Sequence, residues 1–409
     1  MKKEERYLKT MYYQNNENRQ LNTVTDHYIA APDRILTLVV LFLVVIGVMF
    51  VFSASVPKCV NAGINPLHFT IIQLVGVAIG YVLLRWFSKI DLRILYNATG
   101  FFTLIVIALL FLVLCIGETI NGAQRWISLG PVNLQPSELA KPAIVLLLAK
   151  AFHKDPSFFD SKKYPTYAVI LLMVALILKQ PNLSMCILLF ATSVVMYLTA
   201  GGTLSWIKRM ILPILGGIAT FVVVSGIGAC MNFNLIGKFL QPYQLQRITI
   251  WLHPESDPLG AGYNIIQSMV AFASGGLWGS GFGASKQKLA WLPEAHTDFI
   301  FAVIGEELGF IGCLLLIGLF WTVLQRGFVI ASECRDMYYK LIAIGFTFSI
   351  CFQAFMNMGV SSSMLPATGV PLPFISYGGT SVIISLAMVG VLLNISRKKQ
   401  RKIRLAQNV

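Results

Sequence analysis

The sequence predicts an all-α, polytopic integral membrane protein with about ten transmembrane helices, both termini cytoplasmic and one large outer loop between spans seven and eight. Three observations carry that expectation. Hydrophobic residues make up 56% of the 409 and charged residues only 12%, with a mean hydropathy of +0.71. Soluble domains carry roughly 25% charged residues. Apolar runs close to the ~20 residues that cross a bilayer recur between residues 35 and 396. Under a ten-span threading with the N-terminus inside, about three-quarters of the Lys and Arg residues fall on the cytoplasmic side, as the positive-inside rule requires.

Residues 1–34 read as a polar cytoplasmic tail. The first run, ILTLVVLFLVVIGVMFVF (35–52), ends at SAS, which resembles a signal-peptidase site. It exceeds the roughly 7–15 apolar residues of a cleaved signal and follows a polar tail, so it is expected to be a retained first span. Further spans fall near 68–87, 98–117, 138–152, 166–181, 183–200, 210–228, 299–325, 340–360 and 378–396. Pro181, in LKQPNLS, separates the fifth from the sixth. Residues 35–396 are therefore expected to form one ten-span domain, and 397–409 a basic cytoplasmic tail. Both tails are expected to be mobile. Within the outer loop, 229–297, the stretch GYNIIQSMVAFASGGLWGSGFG reads as helices lying in or re-entering the outer leaflet.

The net charge of +14 does not mark a nucleic-acid surface, because the basic residues sit in short clusters between apolar runs. The seven cysteines are odd in number and scattered, which argues against a disulfide framework or zinc site. Cys59 and Cys230 are the pair that the threading could bring together on the outer side.

Ionisable residues concentrate on the outer side: Arg125, Glu138, Lys141, Arg247, His253, Glu255, Asp257, Lys286, Lys288, Glu294, His296 and Asp298. Midspan positions carry almost none, apart from Glu306 and Glu307, about 12 Å along the helix from Asp298. Charge gathered on one face fits a surface enzyme better than a path through the membrane. In LPEAHTDFIF (292–301), Thr297 or Asp298 could cap span eight. The helix dipole would then lower the Asp298 pKa. The same carboxylate could serve as a general base. The two readings are compatible. His296 is expected to orient a partner by hydrogen bonding, with Glu294 as the second candidate base. Glu306, about 80° around the helix from Asp298, is expected to support it, while Glu307 points to the opposite face. Lys286 and Lys288 read as anchors at the membrane surface or as phosphate ligands. Arg247 near Trp251, and Arg125 beside Trp126, suit a phosphate next to a sugar or an aromatic belt.

Four segments, NGAQRWISLGPVNLQPSELAK, YQLQRITIWLHPESDPLGAGYNIIQS, LPEAHTDFIFAVIGEELG and LPATGVPLPFISYGGTS, occur in the order found in the SEDS family (shape, elongation, division and sporulation proteins). The resemblance runs from the first span to the last and favours the division and sporulation branches over the elongation branch. It implies a ten-span peptidoglycan glycosyltransferase that polymerises lipid II on the outer face of the bacterial cytoplasmic membrane. Its implied partners are a class B penicillin-binding protein that crosslinks the product, other division proteins and membrane lipid, with no nucleic acid. The family's proposed catalytic aspartate falls on Asp298.

The chemistry fits that assignment. A base must take the proton of the acceptor hydroxyl, and cations must stabilise a departing diphosphate. Arg247, Lys286, Lys288, Arg125 and Lys141 are the candidates for the phosphate side, with Glu294 and His296 near the sugar. Glu306 and Glu138 are expected to play supporting roles. A divalent cation, Mg or Mn, could share the phosphate, although no ligand motif marks one. One departure stands out: the family commonly has QPDLG between spans five and six, whereas this chain has QPNLS, with Asn182 and Ser184. Two other roles compete with polymerisation. A flippase predicts midplane charge and repeat symmetry, which are not seen. A division scaffold leaves the charged 229–298 segment without a purpose.

Overall fold

The computed structural model describes residues 23–29, 31–120, 123–128, 133–153, 164–202, 247, 249–260, 262–289, 292–367 and 369–404. The expected seventh span (210–228), Cys230 and most of the loop before Arg247 lie outside the described residues.

The described helices are α1 (Arg34–Asn61), α2 (His68–Phe87), α3 (Leu92–Ile116), α4 (Pro136–Phe152), α5 (Tyr164–Lys179), α6 (Leu183–Thr199), α7 (Tyr263–Gly275), α8 (Ile300–Glu333), α9 (Met337–Ser361) and α10 (Gly379–Arg397). Six of them, α1, α2, α3, α8, α9 and α10, are long and apolar enough to cross a membrane. Helices α5 and α6 are apolar but shorter. The chain is a polytopic membrane protein. Helices begin where side chains satisfy otherwise unpaired amides: Asp33 accepts from Leu36 N, Asp91 from Arg93 N and Asp336 from Tyr338 N. Asp33 also pairs with Arg326, tying the start of α1 to α8.

Strands are minor exceptions to the all-helical expectation. A three-stranded sheet joins β2 (Glu118–Ile120), β3 (Ala123–Ser128) and β4 (Asn133–Leu134). The tails, expected to be mobile, are paired over β1 (Thr23–Ile29) and β5 (Lys398–Arg404), antiparallel, with Thr23 opposite Arg404.

Helices α4, α9 and α10 form the centre of the bundle, and much of α2 and α3 faces outward. Small residues let α2 approach α10 closely. A Cβ added at Gly76 would lie 3.3 Å from Gly379 Cα, and one at Gly80 would lie 2.6 Å from a Leu386 methyl.

The eighth expected span is not a continuous helix. It breaks at Gly309 (φ 66, ψ −167), and the segment after α7 fills the break. Phe310 N donates to Gly276 O and Ile311 N to Leu277 O, while Ser280 N and Gly281 N donate to Glu306 O and Glu307 O. Gly279 faces Gly309 so closely that a Cβ on either would overlap backbone atoms, and both have φ in the left-handed region. A helix can open only where its freed amides and carbonyls find partners, and here two amides and two carbonyls find them on residues 276–281.

Candidate active site

Asp298 lies just before α8, and its backbone is held from three directions. Asn357 Nδ2 donates to Asp298 O at 2.9 Å and to Val370 O at 2.8 Å. Ser361 Oγ donates to the same Asp298 carbonyl at 3.2 Å, and Ser376 Oγ to Thr297 O at 2.6 Å. All three side chains are buried. Asn357→Ala is therefore expected to lower kcat about 10- to 100-fold while moving KM little, because it displaces the carboxylate rather than removing a substrate contact. A steady-state comparison of turnover by the two proteins checks this.

Asp298 does not cap α8, contrary to one expectation from the sequence. The position before the helix is Phe299, without a side-chain cap. Thr297 is also diverted, since its hydroxyl donates to Glu294 Oε2 at 2.8 Å. The Asp298 carboxylate instead lines a cavity of about 380 Å³ that also contains Arg125, Arg247, Trp126, Glu294, His296 and Tyr377. Gly369 marks the closest approach: a Cβ added there would lie 3.5 Å from Asp298 Oδ2 and 3.7 Å from Arg125 Nη1.

The electrostatics also reverse the expectation of a lowered pKa. Burial, reinforced by the Glu294 carboxylate, raises the Asp298 pKa to about 6, and Arg247 and Arg125 pull it down only in part. A base with this pKa is ionised at neutral pH and still takes a proton readily. Activity that depends on it should fall as pH drops through about 6. Glu294→Gln should move that limb to lower pH, by removing the neighbouring negative charge. A pH–rate profile of both proteins checks the shift.

The two arginines are positioned by backbone carbonyls. Arg125, almost fully buried, donates from Nε to Gln180 O at 3.0 Å and from Nη2 to Pro181 O. Arg247 Nη1 donates to Ala367 O at 2.7 Å. The QPNLS hairpin is thus part of the Arg125 mount. Asn182 caps α6 by accepting from Met185 N, and its amide donates to Ser137 Oγ. Both interactions need hydrogen bonding rather than charge.

His296 is buried, with its ring 4.9 Å from Phe69 and 5.6 Å from Tyr377. Burial, and then the nearby Lys58 ammonium, lower its pKa to about 4, so it is neutral at physiological pH. Lys58 lines the cavity as well and pairs with Glu294 at 3.8 Å.

Other candidates lie apart from this cavity. Lys141 and Glu138 are buried together 2.6 Å apart. Lys141 also donates to Gln353, which donates onward to Pro371 O and Ser381 Oγ in the cavity lining. Lys288 is not a surface anchor: its ammonium contacts Glu307 at 2.7 Å and Ser53 at 2.8 Å in the interior. Glu306 does not reach Asp298. Its carboxylate accepts from Ser285 Oγ, Lys286 N and Gln287 N. Glu307, expected on the opposite face, accepts from Gly283 N nearby. The Lys286 side chain is exposed.

The sequence reading missed Lys58, Asn357, Ser376 and Tyr377. Lys58 had a visible signal, as the lone basic residue at the outer end of the first span. Among the described residues no three His, Cys, Asp or Glu side chains converge as a metal site. Asp298 and Glu294 are the cavity acids that could meet a cation.

The sequence profile of the FtsW, RodA and SpoVE family, described as cell cycle proteins, matches residues 33–401. The chain belongs to this family. A protein of Trichlorobacter lovleyi named probable peptidoglycan glycosyltransferase FtsW is 37% identical, covering 90% of this chain and 94% of that one. Stage V sporulation protein E of Bacillus subtilis is also 37% identical, over 90% and 97%. Among solved structures, a chain from a peptidoglycan synthase complex that coordinates polymerisation and crosslinking superposes with a TM-score of 0.71. It is 31% identical and covers 90% of this chain and 98% of that one. The rod shape determining protein RodA of Thermus thermophilus gives 0.64 at 28% identity, over 90% and 98%. Within the FtsW, RodA and SpoVE family, then, this chain matches relatives along nearly their whole length.

Proposed function

We propose that this chain is a peptidoglycan glycosyltransferase that polymerises lipid II into glycan strands during cell division, at the outer face of the bacterial cytoplasmic membrane. The observation that carries the reading is Asp298, whose backbone is pinned by buried side chains and whose carboxylate lines a cavity that also presents Arg125 and Arg247. The names of relatives such as the Trichlorobacter lovleyi protein support the same activity.

Asp298 takes the proton of the acceptor sugar hydroxyl as the oxygen bonds to the donor's anomeric carbon. The bond from that carbon to the lipid diphosphate breaks. A diphosphate leaves without protonation, so the paired acid of a glycosidase is not needed. Arg125 and Arg247 stabilise the departing charge. Neutral His296 orients the sugar from the side, and Glu294 sets the proton affinity of Asp298. Lys141 acts on the cavity through Gln353, and the exposed Lys286 lies outside the cavity lining. A divalent ion, if Mg or Mn is taken, would meet the phosphate beside Asp298 and Glu294. On this reading the chain has ten spans with both tails cytoplasmic, and the cavity opens on the outer face. The partner on this reading is a class B penicillin-binding protein, alongside other division proteins.

The test is glycan-strand synthesis from lipid II by the purified chain with its cognate transpeptidase. Polymer of many disaccharide units is the expected product. A complex that binds lipid II yet makes no strand under permissive conditions would turn the assignment toward a scaffold or a flippase.

A further inference from the structure

Beyond Glu294 and His296 lies a second cavity, of about 420 Å³, that the chemistry above leaves unused. Ala54, Asn61, Ala62 and Lys288 line it and are absent from the lining of the first cavity. Both cavities share Lys58, Glu294 and His296, so the partition between them is one imidazole and one ion pair. That pair is loose: 3.8 Å apart, with the Lys58 side chain 51% exposed and that of Glu294 37% exposed. Such pairs are weak in solvent, so Lys58 can exchange Glu294 for a more highly charged anion. Lys288 has its charge matched by Glu307, which leaves Lys58 as the cation an incoming group would recruit. Glu294 holds a left-handed backbone at φ 55, a conformation that favours glycine and that clusters at functional sites.

We propose that this second cavity receives the diphosphate-bearing end of the acceptor substrate, with Lys58 binding its charge. The inference rests on the glycosyltransferase reading and adds the location of the second substrate. The donor's diphosphate is bonded to the carbon under attack, so it belongs beside Asp298, Arg125 and Arg247. The acceptor reacts through a hydroxyl at the opposite end of its sugars. Its own diphosphate must therefore lie away from Asp298, in a separate place with its own cation. The second cavity meets that requirement across a partition that borders the first. In the reaction the acceptor's proton passes to Asp298, its oxygen gains the anomeric carbon, and the donor's carbon–diphosphate bond breaks in the first cavity. The acceptor's diphosphate linkage stays intact in the second.

The test counts bound substrate by native mass spectrometry of the full-length chain, using lipid II that lacks the acceptor hydroxyl and so binds without turnover. The native protein is expected to bind two molecules. Ala62→Trp, which narrows the second cavity from its lining, is expected to bind one. Lys58→Gln, at a half-exposed side chain that folding tolerates, should weaken the second binding step about tenfold more than the first. Two molecules on a folded Ala62→Trp, one on the native protein, or equal weakening of both steps by Lys58→Gln would overturn the proposal. Failure of the native protein to bind any lipid II would instead overturn the glycosyltransferase reading. The outcome does not depend on Asp298 being the base.

Discussion

Asp298→Asn is expected to abolish glycan-strand synthesis, with a loss of about 10²–10⁴-fold or more, while leaving the protein folded. Asparagine keeps the size of the side chain and its capacity to hydrogen-bond, and it removes only the base. The backbone bonds from Asn357, Ser361 and Ser376 go to carbonyls, so they survive the change. The stability consequence has a definite sign. The Asp298 pKa rises on folding from 3.8 to about 6, so the folded state binds the proton more tightly than the unfolded state. The ionised carboxylate therefore costs stability above pH 6, and the cost fades as pH falls toward 4. Asparagine carries no such cost. The variant should melt no lower than the native protein at pH 7.5, and the native protein should gain on it as pH approaches 4. An inactive but equally or more stable protein is the signature of a group kept for chemistry. Normal polymerisation by Asp298→Asn would leave Asp298 a structural residue and make Glu294 the next base to test.

Composition and apolar run length made the membrane class legible, because burial in lipid demands them regardless of tertiary detail. Span starts were legible at Arg34 and Leu183, within one residue of the expected 35 and 183. The helix that Asp91 caps begins at Leu92, six residues before the expected 98, because its first turn (LRILYN) carries polar residues that interrupt the apolar run. The break at Gly309 was not legible. It depends on backbone carbonyls of Gly276 and Leu277 and amides of Ser280 and Gly281, some thirty positions earlier, and hydropathy carries no record of that exchange. Asp298 could be picked out from its position at a polar-to-apolar boundary, but its environment could not. Local sequence put a helix dipole next to it, whereas the fold turned its side chain toward Glu294 and two arginines from residues 125 and 247. The basic residues divided for the same reason. A lysine beside an apolar run reads as an anchor. Whether it lies on the surface, as Lys286 does, or is buried against Glu307, as Lys288 is, depends on partners distant in sequence. Asn357 and Ser376 gave no signal, because an uncharged residue in or beside a span looks like packing until its hydrogen bonds are traced.

Glu307→Ala is expected to destabilise the protein by about 3–5 kcal/mol, the range for removing one partner of a buried ion pair. It should also reduce polymerisation without touching Asp298. Glu307 is fully buried and accepts from Lys288 Nζ, Ser53 Oγ and Gly283 N. Its removal strands the Lys288 ammonium with Ser53 alone and frees a backbone amide. Neighbouring Glu306 cannot compensate, since its carboxylate already accepts from Ser285, Lys286 and Gln287. The two acids together fix residues 283–288 against the broken helix, and that segment leads directly into the turn carrying Glu294, His296 and Asp298. Loss of Glu307 should therefore reach the cavity through the backbone. Thermal melting in detergent measures the stability change. The cause is isolated by replacing both partners, Glu307→Leu with Lys288→Met, which removes the charge pair without stranding either member. If stranded charge is the reason, the double variant should recover most of the melting temperature lost by Glu307→Ala. Activity should recover less, because the Gly283 amide still lacks its acceptor. A double variant no more stable than the single one would show that the geometry of residues 283–288, rather than the buried charge, dominates the loss.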